Sequence, residues 1–248
     1  MDQITRLNLI NGFEREVPIF FVGEKKAYYR VKRVLDLLIS LCILIFLSPV
    51  FLIVAGLVIL DSPGPVFFKQ TRVGTILTGQ GKALAWKKRN FTCVKFRTMR
   101  HNADQTPHQN YVQALIRNDQ ETMQHLEGEN AKMHKLVSDP RITRVGKYLR
   151  KLSIDEIPQF WNVLRGDMSL VGPRPAIPYE VEQYSHWHLR RLQAKPGITG
   201  LQQVTARCTL SFDEQVLYDI QYIEKQNLWL DFKILIKTPI AVLIQKGV

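Results

Sequence analysis

The longest apolar segment of the chain lies close to its N-terminal end. Residues 37–60 contain 24 consecutive positions without a charge, a length that suffices for a membrane helix. Ser48 and Pro49 stand in the middle of this segment, where a proline removes one helix hydrogen bond and kinks the helix. The pattern predicts either a plain spanning helix that tolerates the proline, or two half-helices that enter and leave the membrane on one side. Each half of about 12 residues would reach about 18 Å, roughly one leaflet.

Basic residues flank the apolar segment on both sides. Five lysines and arginines lie within residues 25–33, and residues 61–101 contain nine basic residues against one acid. Because positively charged flanks remain in the cytoplasm, both ends of the segment are predicted on the cytoplasmic side. A spanning helix satisfies only one flank, whereas two half-helices satisfy both, so the charges bring the two interpretations to near parity.

Two segments after the apolar run alternate in polarity as β-strands do. They are residues 65–74 and 90–99, and in the second of them Lys95 and Arg97 fall on the same face as Phe91. Two cations are therefore predicted side by side on a rigid strand.

Helical patterns dominate the remaining sequence, so the predicted fold class is α/β, mixed and helix-rich. Residues 102–138 are polar and helix-prone, and we expect them to form an excursion from the core. The stretch 186–192 has a tryptophan between two histidines and two arginines after them, which predicts an amphipathic segment at a membrane interface. Residues 211–248 interleave apolar and charged positions with helical spacing.

Composition restricts the class of protein further. The 248 residues suit one globular domain, and 46% hydrophobic residues exclude wholesale disorder. Three cysteines, far apart and odd in number, exclude a disulfide scaffold and are predicted to be buried thiols of a reducing compartment. The net charge of +12 indicates an anionic partner, which is a nucleic acid, a phosphorylated substrate or an anionic membrane surface.

An adjacent pair of carboxylates, Asp155 and Glu156, is a candidate for chemistry. Four cations surround the pair in sequence, so the carboxylates should be ionised and able to attack an electrophile or to hold a hard cation. The alternative is a helix capping box, with Ser153 as N-cap and Glu156 three residues later. That alternative makes Pro158 the fifth helical residue, where it would leave a carbonyl unpaired. On the residues alone, the functional and the capping interpretations both stay open.

Two motifs rich in proline and glycine follow the carboxylates. Arg174 lies between two prolines that fix the backbone, so its guanidinium would be held rigidly, as bidentate phosphate binding requires. A solvated arginine in a proline-rich turn is the simpler alternative. Residues 195–200, KPGITG, predict a turn whose backbone N–H groups could bind an anion, although both the P-loop and the dinucleotide-binding spacings are absent.

Taken together and in this order, the motifs resemble the bacterial sugar transferase family, the monotopic phosphoglycosyl transferases. The resemblance runs from about Arg30 to the C-terminus. Its most specific parts are KFRTM (95–99), SIDEIPQFWNVLRGDMSLVGPRP (153–175), KPGITG (195–200) and YIEKQNLWLDFKIL (222–235).

The resemblance implies an architecture and a reaction. It implies an N-terminal cytoplasmic segment (1–30), a re-entrant membrane hairpin broken at Ser48 and Pro49 (31–60), and a cytoplasmic catalytic domain (61–248). The implied reaction transfers a sugar 1-phosphate from a nucleotide sugar, usually a UDP-sugar, to undecaprenyl phosphate with release of UMP. It would require Mg²⁺ and pass through a covalent phosphosugar–enzyme intermediate. This would be the first membrane step of bacterial polysaccharide synthesis, at the cytoplasmic face of the inner membrane.

The resemblance also implies roles for individual residues. Asp155 matches the nucleophile, and Glu156 matches the residue that helps to hold Mg²⁺. After KPGITG the chain departs from the family pattern at Gln202 and Ala206, which leaves the identity of the sugar open. Membrane lipids are implied partners, and a homo-oligomer is compatible with the resemblance. The implied ligands of the substrate phosphates are Lys95, Arg97, Arg150, Arg174 and Arg207.

Two other classes of protein compete with this interpretation. A membrane-associated nucleic-acid-binding protein would explain the basic stretch 61–101, but it leaves Asp155 and Glu156 without a function. A membrane-anchored scaffold would equally tolerate loss of the pair. We therefore predict an enzyme and no nucleic-acid partner.

Overall fold

The computed structural model describes residues 25–78, 85–117, 119, 121–123, 139–205 and 210–243. Within these ranges it is helix-rich with two small sheets, so the predicted mixture of helices and strands is confirmed. The strands are β1 (Phe67–Thr78), β2 (Ala85–Phe96), β3 (Ser169–Val171) and β4 (Gly197–Thr199). Short 3₁₀ turns lie at Ile154–Glu156 and His188–Leu192. The α-helices are α1 (Lys26–Phe46), α2 (Ser48–Asp61), α3 (Thr106–Arg117), α4 (Arg144–Lys151), α5 (Gln159–Arg165), α6 (Pro178–Val181), α7 (Leu201–Thr205), α8 (Phe212–Lys225) and α9 (Leu228–Leu243).

The apolar segment forms two helices, α1 and α2, that are bent by 61° relative to each other. The break lies at Leu47, and Ser48 and Pro49 are the first two residues of α2, where the missing N–H of a proline is not needed. The Ser48 hydroxyl donates to the carbonyl of Ile45 at 2.8 Å, which satisfies an acceptor at the end of α1. Among the described helices none is by itself long and apolar enough to cross a membrane, whereas this bent pair meets that condition jointly.

Helix α1 turns polar side chains toward the rest of the protein, and both helices of the pair expose many apolar side chains. Lys32, Asp36 and Ser40, four residues apart on α1, are buried, with Ser40 completely so. This distribution is the reverse of that on a water-exposed amphipathic helix. The exposed apolar residues are Val31, Val34, Leu35, Leu38, Leu41, Ile45, Phe46, Leu52, Ile53, Leu57, Ile59 and Leu60.

The prediction that the cysteines are buried is confirmed for Cys93 and contradicted for Cys42, which is exposed on α1.

Both free ends of the helix pair are attached to the same body. Near the start of α1, the Lys32 ammonium lies 2.8 Å from a carboxylate oxygen of Asp231 on α9, and Arg33 donates to two carbonyls at the end of α5. At the other end of the pair, Arg97 donates to the carbonyl of Ser62 at 2.7 Å, just after α2. One folded domain therefore holds the beginning of α1 and the end of α2.

Strands β1 and β2 form a long antiparallel hairpin, which confirms the two predicted strands and extends them. The pairing runs from Phe67 opposite Phe96 to Thr78 opposite Ala85. Both faces of its inner end are covered, so alternating residues of β2 enter different clusters. Phe91 and Cys93 pack with α8 and β3, and Phe96 packs with Val54, Val58 and Leu149 of α2 and α4.

The KPGITG motif is part of a second sheet and not an anion-binding turn. Strand β4 pairs in parallel with β3, and the N–H of Gly197 donates to the carbonyl of Pro173 at 2.9 Å. A side chain at Gly197 would bring its Cβ within 2.1 Å of the Gly172 nitrogen, so the two backbones can approach only without one. The motif thereby fixes the segment that precedes Arg174.

The expected excursion and the expected interfacial segment are not found. Residues 106–117 form α3, which confirms their predicted helical character, but α3 packs against Phe212 and Val216 of α8 through an apolar face and so belongs to the core. The rest of that predicted excursion, from residue 124 to 138, lies outside the described residues.

The stretch 186–192 is not an exposed interfacial segment either, because Arg191 is buried in a pair with Asp219 at 2.6 Å. An exposed apolar stripe lies instead on α9, at Trp229, Phe232, Ile236, Ile240 and Leu243.

Candidate active site

The two carboxylates lie in the 3₁₀ turn Ile154–Glu156, between α4 and α5. Ser153 has left-handed backbone angles (φ 54°, ψ 21°), and its side chain caps no helix, so the capping-box alternative is wrong. Helix α5 begins at Gln159 with Pro158 at the N-cap, which also removes the conflict with a proline inside a helix. A left-handed residue other than glycine costs about 1–2 kcal/mol, and such strain is concentrated at functional sites.

Asp155 is the buried member of the pair, with 8% of its surface exposed. Burial raises the pKa of its carboxyl to about 6, the Lys95 ammonium opposes that rise, and the neighbouring Glu156 adds to it. The Arg150 guanidinium also favours the ionised form, more weakly. A carboxyl with a pKa of about 6 is ionised at neutral pH but poorly solvated, which is a favourable state for a nucleophile.

Glu156 is held from the side of the hairpin. The Lys95 ammonium lies 2.7 Å from its Oε1, and both side chains remain partly exposed. Lys95 is on the inner end of β2, so the strand fixes one charge of the site and the 3₁₀ turn fixes the other.

The predicted phosphate ligands Arg97 and Arg150 occupy two different environments. Arg150 is half-buried, and its Nε donates to the Thr98 hydroxyl at 3.1 Å, beside the carboxylates. Arg97 is buried and donates to the carbonyls of Val58 and Ser62 at the end of α2. Strand β2 ends at Phe96, so its alternation stops before Arg97, and the expected side-by-side arrangement of Lys95 and Arg97 is not found.

Arg174 is exposed, and its side chain makes no hydrogen bond or ion pair with any residue that the structure describes. Burial is the main cause that lowers the pKa of Arg72, and the positive charge of Arg174 lowers it further. The two guanidiniums therefore lie near each other. Arg72 donates to the carbonyl of Pro175 at 2.9 Å and thereby holds the Pro-Arg-Pro loop against β1.

Sequence reasoning missed Arg72 as a site residue, because only its long-range contact with this loop shows its role. The charges of Arg72, Lys95, Glu156 and Arg174 all act on the thiol of Cys93, so these groups share one region of the domain. Arg207, the last predicted ligand, lies outside the described residues.

The donor set of the carboxylate pair suits Mg²⁺. Among the residues that the structure describes, no group of three or more His, Cys, Asp and Glu side chains could hold a metal ion by itself. Mg²⁺ does not need such a cage, because it commonly binds one or two carboxylates together with water and substrate phosphates. The negative charge of Glu156 raises the pKa of Asp155, so a cation between the two would relieve a real repulsion.

Together, these features define a class of protein. A helix-rich domain holds both ends of an outward-facing apolar helix pair and places a carboxylate pair among lysine and arginine side chains near the end of that pair. The model of the family described as "Bacterial sugar transferase" matches residues 27–245, and the chain belongs to this family and is a transferase enzyme.

Curated relatives cover most of the chain. It is 38% identical over 216 residues to an exopolysaccharide production protein of Sinorhizobium fredii, covering 87% of each chain. It is 40% identical over 238 residues to an undecaprenyl-phosphate galactose phosphotransferase of Salmonella typhimurium, with 95% of this chain and 46% of that protein covered. An Aeromonas hydrophila UDP-N-acetylgalactosamine-undecaprenyl-phosphate N-acetylgalactosaminephosphotransferase is 36% identical over 89% of this chain and 45% of its own length. The chain thus spans about half of the last two relatives.

Proposed function

We propose that the protein transfers a sugar 1-phosphate from a UDP-sugar to undecaprenyl phosphate, releasing UMP, in bacterial polysaccharide synthesis. The names of the Salmonella and Aeromonas relatives supply the substrate class. The observation that carries the proposal is the buried carboxyl of Asp155 beside Glu156, with Lys95 and Arg150 on either side. Phosphoryl transfer depends on positioned cations and a positioned nucleophile, and this arrangement supplies both.

Asp155 would act as the nucleophile of the first step. A carboxylate oxygen attacks the phosphorus that carries the sugar and forms an acyl–phosphate bond. The bond from that phosphorus to the bridging oxygen breaks, and the electron pair leaves with UMP. Lys95 and Arg150 would stabilise the negative charge on the phosphoryl oxygens, and the more distant Arg174 would bind the nucleotide phosphate.

In the second step, a phosphate oxygen of undecaprenyl phosphate attacks the same phosphorus. The acyl–phosphate bond breaks, Asp155 is regenerated as a carboxylate, and the product is undecaprenyl diphosphate sugar. Division into two displacements means that the soluble donor and the lipid acceptor do not have to be bound together.

A Mg²⁺ ion would be held by Glu156 with Asp155 nearby. When bound, it would neutralise charge on the phosphate oxygens of the donor. The Lys95 ammonium, 2.7 Å from Oε1 of Glu156, would hold this second carboxylate in place for the ion.

The helix pair would place this site at the cytoplasmic face of the inner membrane. Helices α1 and α2 expose apolar residues, and one domain holds the start of α1 and the end of α2. A pair that crossed the bilayer would put these two ends about 30 Å apart on opposite sides. A re-entrant hairpin keeps both ends on the side of the catalytic domain, where the lipid phosphate also lies.

The test is the release of UMP by the purified full-length chain in lipid nanodiscs with Mg²⁺. UDP-galactose, UDP-glucose and UDP-N-acetylgalactosamine would each be supplied with and without undecaprenyl phosphate. With acceptor, one of these donors should give continuous turnover. Without acceptor, a covalent route should give a burst of about one UMP per enzyme, and a sugar-labelled donor should leave its label on the denatured protein.

Asp155→Asn should abolish the burst, the protein-bound label and turnover. The matched control is Asp167→Asn, because Asp167 is also a buried carboxylate but pairs with Arg89 outside the site. Turnover without a burst would exclude the covalent route, and near-normal turnover of Asp155→Asn would exclude this residue as nucleophile. Absence of UMP release from the wild type with every nucleotide sugar would refute the proposed reaction.

A further inference from the structure

A cavity of about 650 Å³ opens at the C-terminal end of α2, where the apolar segment ends. It is lined by Asp61, Ser62, Pro63, Gly64, Arg100 and His101, and no role has been given above to any of these side chains. The cavity falls in the size range of small-ligand sites. It is separate from the carboxylate pair, whose residues do not line it.

The lining contains two basic side chains and one acid. Arg100 and His101 are exposed, and neither side chain makes a hydrogen bond or ion pair within the part of the chain that the structure describes. The acid of the lining, Asp61, accepts from the N–H of Val145 at 2.9 Å, so its charge already faces the positive end of α4. The guanidinium of Arg100 and the imidazole of His101 therefore remain as hydrogen-bond donors for a ligand.

A third basic side chain lies next to the cavity. The buried guanidinium of Arg97 is close to Gly64, where an added Cβ would come within 2.5 Å of an Arg97 nitrogen and 3.0 Å of the Cβ of His101. Gly64 has a φ of 126°, which only glycine adopts without strain. A side chain at this position would fill the space between the two bases, so the glycine keeps the cavity open.

The cavity lies between an apolar surface and the carboxylates. Ile59 and Leu60, which immediately precede its first lining residue, are among the exposed residues of α2, with Leu60 86% exposed. On the side of the carboxylates, the Thr98 hydroxyl accepts a hydrogen bond from Arg150. Arg100 of the lining follows Thr98 by two residues, about 7 Å in extended chain. A ligand with an apolar tail and an anionic head would match both sides.

We propose that this cavity binds the phosphate of a membrane lipid, through Arg100 and His101, with the hydrocarbon chain along Ile59 and Leu60. The inference rests on the proposed function, because it gives the acceptor of that reaction a route to Asp155. The same chemistry is shared by a polyprenyl phosphate and by an anionic phospholipid headgroup, and the two are distinguished by experiment.

The first measurement is lipid binding by the detergent-solubilised full chain, followed by native mass spectrometry. Undecaprenyl phosphate, undecaprenol and phosphatidylglycerol would be titrated separately into the wild type and the double variant Arg100→Gln/His101→Gln. The control is Lys88→Gln, which removes an exposed cation on β2 away from the cavity. Loss of one charge-assisted contact and one imidazole hydrogen bond should weaken binding of the phosphate-bearing lipid on the order of tenfold or more.

The second measurement separates the two half-reactions. The double variant should keep the acceptor-independent UMP burst and should raise the KM for undecaprenyl phosphate by a similar factor, whereas Lys88→Gln should change neither. Weaker binding of undecaprenyl phosphate with unchanged undecaprenol binding assigns the cavity to the acceptor. Weaker binding of phosphatidylglycerol alone assigns it to a bulk phospholipid.

Unchanged binding of both phosphate lipids would overturn the inference, as would loss of the UMP burst in the double variant, because these residues would then serve the donor. A wild type that binds the lipid but shows neither burst nor turnover would refute the proposed function and not the cavity assignment. Binding is measured without catalysis, so the two failures are distinguishable.

Discussion

Replacement of Asp155 by asparagine should stabilise the folded protein while it removes the proposed nucleophile. The pKa of the carboxyl is raised from 3.8 to about 6, chiefly by burial. Between these two values the folded protein binds a proton that the unfolded chain has lost, so stability falls as the pH rises through this window. Asparagine resembles the neutral acid in shape and carries no charge to bury, so the variant does not lose this stability as the pH rises.

The expected size of the effect follows from the same two pKa values. At about 1.4 kcal/mol for each pH unit, the difference between 3.8 and about 6 corresponds to about 3 kcal/mol at pH 7 and above. The same relation leaves about 1 kcal/mol at pH 4.5. For a protein of this length, 1 kcal/mol moves Tm by about 2–4 °C, so Asp155→Asn should raise Tm by about 6–12 °C at pH 7.5.

The assay is thermal unfolding in nanodiscs with EDTA, at pH 4.5, 6.0 and 7.5, for the wild type and two variants. Asp167→Asn is the control, because its buried carboxylate lies 2.6 Å from an Arg89 nitrogen and its loss should lower Tm. The increment of Asp155→Asn should grow from pH 4.5 to 7.5. An increment independent of pH, or a lower Tm at pH 7.5, would refute the account of Asp155 as a buried carboxylate held in an unfavourable environment.

Two further predictions concern the charge that opposes this burial and the path of the helix pair. Lys95→Met removes the cation that most favours the ionised form of Asp155, so the acidic limb of the pH–rate profile for the UMP burst should move above pH 6. Lys95→Arg keeps the charge and should leave that limb near the wild-type position. Coincident limbs for all three proteins would contradict the assigned role of Lys95. The path of the helix pair is tested with cysteines introduced singly at Lys26 and Lys69, after replacement of the three native cysteines by alanine. Both sites should be shielded from an impermeant thiol reagent in intact cells, and both should be labelled after permeabilisation. Labelling at position 26 from outside would establish a spanning arrangement.

Local sequence patterns predicted the elements whose causes are local. The strands predicted in residues 65–74 and 90–99 are confirmed by β1 and β2, and β2 buries Phe91 and Cys93 in one cluster and Phe96 in another. In β1 the buried positions are consecutive, from Arg72 to Thr75, so the alternation is not kept there. The break near Ser48 and Pro49 is present within one residue of its predicted place, because the effect of a proline on a helix depends only on its own turn.

Long-range pairing accounts for the predictions that were wrong. Arg191 was expected at a membrane surface, but a buried partner 28 residues away in sequence, Asp219, makes its burial tolerable. Arg97 was expected beside Lys95, but the carbonyls at the end of α2 bind its guanidinium. Arg72 was overlooked because its acceptor, the carbonyl of Pro175, is 103 residues distant. No local pattern contains these partners.

The contacts beneath α1 hold the helix pair in a defined position relative to the domain that carries the candidate active site. In the interior, the carboxylate of Asp231 accepts from Lys32 at 2.8 Å and from the hydroxyls of Tyr28 at 2.9 Å and Tyr222 at 2.7 Å. The Tyr222 hydroxyl also lies 3.2 Å from the carbonyl of Val171 at the end of β3. Buried polar groups need specific partners in specific positions, whereas apolar contacts tolerate sliding.

This polar network therefore sets the register of α1 against the sheet that carries the Pro-Arg-Pro loop. At the other end of the pair, Arg97 sets the register of α2 against β2, two residues from Lys95. The orientation of the helix pair relative to the domain and the position of the charged groups around Asp155 are thus fixed by the same side chains. A lipid phosphate at the end of α2 would meet the site at a height that the protein's own hydrogen bonds determine.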